Sequence, residues 1–283
     1  MIATQKKAWL NSIGRSTDSW ISEAVRRPSK KVKPTCLNKI FVMFSREVRL
    51  LEKTLKEDLS DRQIKKIKNS KSTVLKFEGP EGLILTVHPK ELLGSNKTSH
   101  RSEMTGSLYG ASRDAMGTAV VSVLSEDCDQ VLVEFVDAPK AGLLGGLVGL
   151  DVAAYRFKSA MNGNRKFKSL RLLKNKGQIT PREVNEAAQI AAGVNLARHL
   201  VNLPANVLEP DSYSEAIRKL FEKRPGVKID VWNKSRLTKE KCGLILAVGQ
   251  GAPHGPCIVH LKYRPKGSSG KKPVAFVGKG ITF

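Results

Sequence analysis

Several residue types and motifs that carry common chemistries are scarce or absent in this sequence. Only four cysteines occur in 283 residues, and none forms a CxxC pair. This argues against a zinc ribbon or a disulfide framework and is typical of a reducing compartment. No HExxH or GxSxG motif is present, so zincin and serine-hydrolase sites are not supported. No apolar run is long enough to cross a bilayer, so no membrane partner is predicted.

Acidic residues are also scarce, with 26 Asp and Glu against 49 Lys and Arg, a net charge of +23. The excess is concentrated in residues 1–71 (+11), 151–182 (+8) and 183–283 (+8), whereas residues 72–150 carry −4. Segregated positive charge attracts polyanions such as nucleic acid, although a lysine-rich surface of a basic proteome is the alternative. The candidate phosphate contacts are Arg26, Arg27, Lys30, Lys31, Arg165, Lys166 and Lys168.

Composition divides the chain into four predicted regions. Residues 1–45 are a basic arm, with a mitochondrial transit segment as the alternative. Residues 46–160 are an N-terminal α/β domain, residues 161–179 a basic linker, and residues 180–283 a second α/β domain. We expect a cytoplasmic protein, or a mitochondrial matrix protein if the arm is a transit segment.

The N-terminal domain shows both helical and strand patterns. Apolar residues at helical spacing predict a helix over residues 46–68. Strands are predicted at 72–78, 82–88, 118–124 and 130–136. Glycines in 141–150 match neither GxGxxG nor a phosphate loop, and favour close packing of a turn and a helix instead.

The second domain begins with a strong helix-start signal. Thr180, Pro181 and Glu183 predict a capping box, and the helix should end near Val201. A second helix is predicted to open at Ser212. Strands are predicted at 227–232, 244–248, 258–263 and 274–277. Five basic residues flank a Gly-Ser-Ser-Gly loop that favours a charged hairpin tip, with phosphate contact as the alternative: Lys262, Arg264, Lys266, Lys271 and Lys272.

Four segments, in order, resemble the leucyl aminopeptidase (cytosol aminopeptidase) family. They are GLDVAAYRF at 149–157, NLARHLVNLPANVLEP at 195–210, LAVGQG at 246–251 and KPVAFVGKGITF at 272–283. The resemblance covers about residues 141–283. It implies an N-terminal α/β sheet domain followed by the incomplete first part of an α/β metallo-exopeptidase domain.

The resemblance also implies a reaction and its cofactors. Enzymes of this family release N-terminal amino acids from peptides with two divalent metals, Zn or Mn, and are typically hexameric. Lys279 stands at the position of the family's lysine ligand, whereas the carboxylate ligands would follow Phe283. One lysine cannot hold a dication. We therefore expect no catalytic residue in this chain, no metal bound by it alone, and no activity.

Two other outcomes compete with an aminopeptidase. One is a non-enzymatic basic protein that binds nucleic acid or another polyanion, with binding that weakens steeply as salt rises. The other is a chain whose exposed sheet edge favours aggregation or capture of a partner. Of the five histidines, His199 is predicted to be a helix-end surface residue, and His254 is assigned no role.

Overall fold

The computed structural model describes residues 21, 36–45, 47–89, 107–124, 130–155, 157, 169–268, 270 and 272–282. The chain divides into two compact units. The N-terminal unit lies within Ser19–Leu196, and the described residues of the C-terminal unit lie within Ala197–Phe283. Among the described helices, none is both long and apolar enough to pass through a lipid bilayer.

A six-stranded sheet forms the centre of the N-terminal unit. The strands are β1 (Asn38–Met43), β2 (Val74–Glu78), β3 (Leu83–Val87), β4 (Gln130–Val136), β5 (Ser169–Lys174) and β6 (Gly177–Gln178). Their order is β2-β3-β1-β4-β5-β6. The four central strands run parallel, while β2 and β6 pair antiparallel at the two edges. Residues 169–174 of the predicted linker therefore belong to the sheet.

Both faces of this sheet are apolar. The helices of the unit are α1 (Val48–Leu55), α2 (Asp61–Asn69), α3 (Leu108–Leu124), α4 (Lys140–Ala154) and α5 (Pro181–Val201), and the division between the units falls inside α5. Along β1, Ile40 and Val42 join the core cluster that includes α3 and α4, whereas Phe41 and Met43 join the cluster with α1 and α2. Such alternation, apolar on both sides, is typical of a mostly parallel sheet between helices.

The glycine-rich residues 141–150 lie entirely within helix α4. A Cβ atom at Gly145 or Gly149 would lie within 3 Å of the backbone of Tyr109 or Arg113 on α3. Gly142 and Gly146 lie on a second face, where a Cβ atom would meet aromatic rings. The glycines thus let α4 and its neighbours approach closely, as the sequence predicted.

The predicted start of α5 is confirmed. The Thr180 amide donates to Glu183 Oε2 at 2.9 Å, and the Glu183 amide donates to Thr180 Oγ1 at 3.3 Å. These reciprocal bonds are a capping box. Lys174 Nζ donates to the other Glu183 oxygen at 3.0 Å. The Thr180 hydroxyl and amide, followed by Lys174, lower the pKa of Glu183 from 4.5 to about 2.

Replacing Glu183 by alanine should lower the free energy of unfolding by about 1 kcal/mol at neutral pH, because it removes one half of the capping box. The folded-state pKa is depressed, so this contribution is present above the ordinary value of 4.5 and is lost as the pH falls towards about 2. Urea unfolding between pH 7 and pH 3 measures the difference. A Glu186→Ala variant on the exposed side of the same helix is the control. If Glu183→Ala lowers the free energy of unfolding as much at pH 3 as at pH 7, the proposed contribution of the ionised Glu183 carboxylate is contradicted.

The C-terminal unit has a small core and a second sheet. Its elements beyond α5 are α6 (Pro210–Phe221), β7 (Val227–Trp232), α7 (Lys234–Lys239), α8 (Gly243–Val248) and β8 (Ile258–Tyr263). Strands β7 and β8 pair antiparallel, with Val227 opposite Tyr263. Several large apolar side chains are exposed, among them Leu244 at 86% and Phe276 at 94%. Such exposure marks surfaces that other polypeptide normally covers.

Three strand predictions are wrong. Residues 118–124 are helical and form the end of α3, where Val120 and Val123 are buried while Val121 is exposed. Val120 and Val123 are three positions apart and therefore share one face of the helix, whereas the run of β-branched residues favoured a strand. Residues 244–248 form helix α8, and residues 274–277 have no regular secondary structure.

Other predictions need smaller corrections. The predicted helix over 46–68 is two helices, and the second begins at a capping box between Ser60 and Gln63. Helix α6 is capped by Glu209, so Ser212 is its third residue rather than its cap. Cys36 is disulfide-bonded, contrary to the expectation of unpaired cysteines, whereas Cys242 and Cys257 are free. Cysteine spacing alone does not show which thiols a fold brings together.

Candidate functional site

The candidate metal-ligating residue, Lys279, lies in an extended segment near the end of the C-terminal unit. We call residues 272–282 the lysine segment; it contains no helix or strand. Lys279 is exposed and stands between Gly278 and Gly280. A Cβ atom at Gly278 would meet nothing within 4 Å, so the backbone beside the lysine is open on that side. The amine therefore faces a space that other groups can enter.

The residues after Lys279 are held against an apolar hollow. A Cβ atom at Gly280 would lie 3.2 Å from the ring of Tyr213 on α6, so this glycine passes close to the aromatic ring. The hollow has a volume of about 270 Å³. Its lining comes from the end of α5, the turn after it, α6 and the lysine segment: Leu200, Val201, Leu203, Ala205, Leu208, Tyr213, Gly280, Ile281 and Thr282. These residues place the part of the lysine segment that follows Lys279 against an apolar surface.

A metal centre is not complete among the residues that the structure describes. In those ranges no group of three or more His, Cys, Asp or Glu side chains could hold a metal ion. Divalent metals in proteins take several oxygen or nitrogen ligands, so Lys279 alone cannot bind one. The described residues therefore do not fit a two-metal site without ligands from elsewhere.

A contact between His254 and Glu209 fastens the loop after α8 to the start of α6. His254 Nε2 lies 2.5 Å from Glu209 Oε2, and His254 Nδ1 lies 3.9 Å from Asp211 Oδ2. The Cys257 thiol donates to the Pro210 carbonyl at 3.4 Å. Sequence reasoning gave His254 no role, because its partners are more than forty positions away. Here it has a structural partner in Glu209.

Neither the Cys257 thiol nor the His199 imidazole forms a nucleophilic site. Burial, with a smaller contribution from Asp211, raises the pKa of Cys257, so its thiol stays protonated at neutral pH. His199 is buried on α5, contrary to the prediction of a surface residue, and burial lowers its pKa. It is therefore a neutral core residue. His199 lies near the end of α5, but its position in the helical repeat places it on a buried face of the helix.

The seven basic residues predicted to contact phosphate lie outside the described residues. They are Arg26, Arg27, Lys30, Lys31, Arg165, Lys166 and Lys168. Their role stays a prediction. Of the residues singled out by resemblance, only Lys279 has a described position.

Comparison with known proteins assigns the C-terminal unit. Residues 195–283 match the catalytic domain of the cytosol aminopeptidase family. A probable cytosol aminopeptidase of Streptomyces avermitilis is 31% identical over 217 residues, which are 74% of this chain and 42% of that protein. The chain therefore spans less than half the length of this relative.

Solved structures share the fold. An M17 aminopeptidase from Trypanosoma brucei aligns with a TM-score of 0.63 at 17% identity, over 94% of this chain and 53% of that one. A bottromycin maturation enzyme in complex with Mn aligns with a TM-score of 0.55 at 19% identity, over 82% of this chain and 46% of that one. These likenesses confirm the predicted α/β fold class. The match of residues 195–283 and the relatives in sequence and fold together place this chain in the cytosol aminopeptidase family.

Proposed function

We propose that this chain is part of a two-metal aminopeptidase that releases N-terminal amino acids from peptides. The match of residues 195–283 to the family's catalytic domain carries this proposal, because that match includes Lys279. The metals would be Zn or Mn, and the Mn in the bottromycin maturation enzyme supports the second choice. Lys279 would supply one nitrogen ligand from the open side of the lysine segment.

We further propose that the residues of this sequence are inactive by themselves. The described residues offer one candidate lysine ligand, Lys279, and no group of three or more His, Cys, Asp or Glu side chains around it, and one lysine cannot hold two dications. Activity would then require further ligands on polypeptide that continues the catalytic domain. The exposed apolar residues of the C-terminal unit support this, since a folded catalytic domain would bury them.

Peptide hydrolysis tests both parts of the proposal. The intact mass of the natively expressed protein is measured first, since 31.1 kDa corresponds to this sequence alone. A leucyl-peptide assay with added Mn or Zn then follows. We expect hydrolysis only from a polypeptide that carries the rest of the catalytic domain. Metal-dependent hydrolysis by the 283-residue chain would refute its inactivity, and an inactive longer polypeptide would refute the aminopeptidase assignment.

The remaining expectations are proposals of the same kind. Peptide is the proposed substrate, a homo-oligomer such as a hexamer the proposed assembly, and the cytoplasm the proposed location, with the mitochondrial matrix as the alternative. The rival function, a basic protein that binds nucleic acid, is supported by the net charge of +23. It predicts binding that weakens steeply between low and physiological salt.

A further inference from the structure

A cationic hollow lies where β8 ends and the lysine segment begins. Its volume is about 640 Å³, and among the described residues its lining contains Lys262, Arg264 and Lys272 and no carboxylate. Tyr263, 65% exposed, also lines it. We call this feature the cationic hollow. Three positive charges around one concave space raise the local concentration of anions.

The charges of the cationic hollow have no carboxylate partner among the described residues. Residues 241–283 contain seven Lys and Arg and no Asp or Glu. Among the described residues, Lys262, Arg264 and Lys272 form no ion pair, whereas Lys39 contacts Asp58 at 2.6 Å. Arg236 likewise contacts Asp230, at 2.8 Å. The hollow therefore keeps its positive charge.

Strand pairing adds a fourth cation to the same end of the hairpin. Lys228 on β7 stands directly opposite Lys262 on β8. Like charges at opposed positions destabilise a sheet. A bound anion would relieve this repulsion, while water and salt only screen it. The next pair on the same face joins Asp230 and His260, so two lysines do not oppose each other there.

The turn that closes the hollow leaves room for a ligand. Gly267 and Gly270 adopt left-handed conformations, with φ of 81° and 80°. A Cβ atom at either glycine would meet nothing within 4 Å. The Ser268 hydroxyl donates to the Pro265 carbonyl at 2.8 Å, which holds the turn. An anion can therefore approach the backbone as well as the side chains.

We propose that the cationic hollow binds phosphate groups. An arginine flanked by lysines suits phosphate, because guanidinium binds its oxygens in pairs and ammonium adds point charge. The exposed ring of Tyr263 beside these cations is typical of surfaces that hold single-stranded nucleic acid, where bases stack on aromatic rings. Free phosphate compounds share the same chemistry, and the experiment separates the two sources.

The test compares two variants of the full chain with the same change in charge. One is Lys262→Gln, Arg264→Gln, Lys272→Gln. Its control is Arg62→Gln, Lys65→Gln, Lys66→Gln on α2, where a second hollow contains the compensating Glu78. Fluorescence anisotropy of a labelled single-stranded oligonucleotide measures Kd as a function of salt. Thermal unfolding confirms that both variants fold.

We expect the first variant to raise Kd at least about tenfold at low salt. Because three phosphate contacts are lost, the magnitude of the slope of the logarithm of the binding constant against the logarithm of salt concentration should fall by about 2. The control should change Kd less than about twofold. A Lys262→Arg, Arg264→Lys, Lys272→Arg variant, which keeps the charges, should retain most of the affinity. Equal losses in variant and control, or no loss in either, would overturn the proposal.

Competition by inorganic pyrophosphate distinguishes the source of the phosphate. Displacement of the oligonucleotide at millimolar pyrophosphate, absent in the Gln variant, would identify a site for free phosphate compounds. If pyrophosphate does not compete and the Gln variant still loses affinity for the oligonucleotide, the ligand of the cationic hollow is a nucleic-acid strand. If neither probe distinguishes wild type from the Gln variant, the cationic hollow does not bind phosphate.

Discussion

Replacing Lys279 by methionine is expected to reduce kcat/KM for leucyl-peptide hydrolysis at least about 100-fold in a polypeptide that carries this sequence and the rest of the catalytic domain. Methionine keeps a long, flexible side chain and removes the nitrogen that would bind a metal. The lysine is exposed and lies in an irregular segment, so its loss should not unfold the C-terminal unit. The measurements are steady-state kinetics and metal content after dialysis.

The control for Lys279 is Lys239→Met, which changes an exposed lysine at the end of α7 in the same unit. It should leave kcat/KM unchanged. In Lys279→Met, the lower kcat/KM should be accompanied by the loss of one bound metal ion per chain or by a higher metal concentration needed for activity. Full activity and full metal content in Lys279→Met would refute its role as a ligand.

Replacing Gly149 by alanine should destabilise the N-terminal unit by about 3 kcal/mol, because overpacking at a helix contact forces the backbones apart. The added Cβ atom would lie within 3 Å of the backbone of Arg113, which cannot rotate out of the way as a side chain can. Helix α3 or α4 must therefore move, together with the core that both helices share. Urea unfolding followed by far-UV circular dichroism measures the change.

Gly193→Ala is a matched control with the opposite expected sign. Gly193 is an exposed glycine within helix α5, and a Cβ atom there would meet nothing within 4 Å. Alanine should stabilise this helix by about 0.5–1 kcal/mol, since it reduces the conformational freedom of the unfolded chain. If Gly149→Ala raises the unfolding midpoint as Gly193→Ala does, helix propensity rather than the contact between α3 and α4 governs the effect.

Local sequence signals predicted elements well where the decisive contacts are close in the chain. The capping box at Thr180 and Glu183 involves residues three positions apart, and its geometry is as predicted. The strands at 130–136 and 258–263 also have the predicted bounds, because short apolar runs flanked by turns carry their own signal.

Predictions failed where distant residues decide the outcome. Strand β5 lies in a basic stretch, and it is a strand because β4 supplies a parallel partner along its whole length. The pairing of His254 with Glu209 is likewise invisible to local reasoning. Residues 274–277 read as a strand from composition, but no neighbouring strand among the described residues pairs with them.

Lys279 could be singled out only through resemblance to a family. By its own composition the lysine segment shows two exposed lysines, Lys272 and Lys279, among mostly apolar residues, and such surroundings are common for lysines that bind no metal. Among the described residues, no group of three or more His, Cys, Asp or Glu side chains accompanies Lys279 as a ligand set. At the residues of the cationic hollow the sequence favours a charged hairpin tip, with phosphate contact as the alternative. The structure is needed to show that no carboxylate lines the hollow among the described residues.

The two sheets differ in how their outer strands are protected. In the N-terminal unit, the outermost strands are the two-residue β6 and the strand β2, which carries exposed Lys76 and Glu78. Short and charged outer strands resist edge-to-edge association between copies. The C-terminal unit instead exposes Phe276 and Val277 beside a sheet of only two strands. At high protein concentration, we therefore expect copies of this chain to associate through the C-terminal unit. In the resulting fibrillar or amorphous aggregates, the C-terminal unit should become protected from proteolysis before the N-terminal unit.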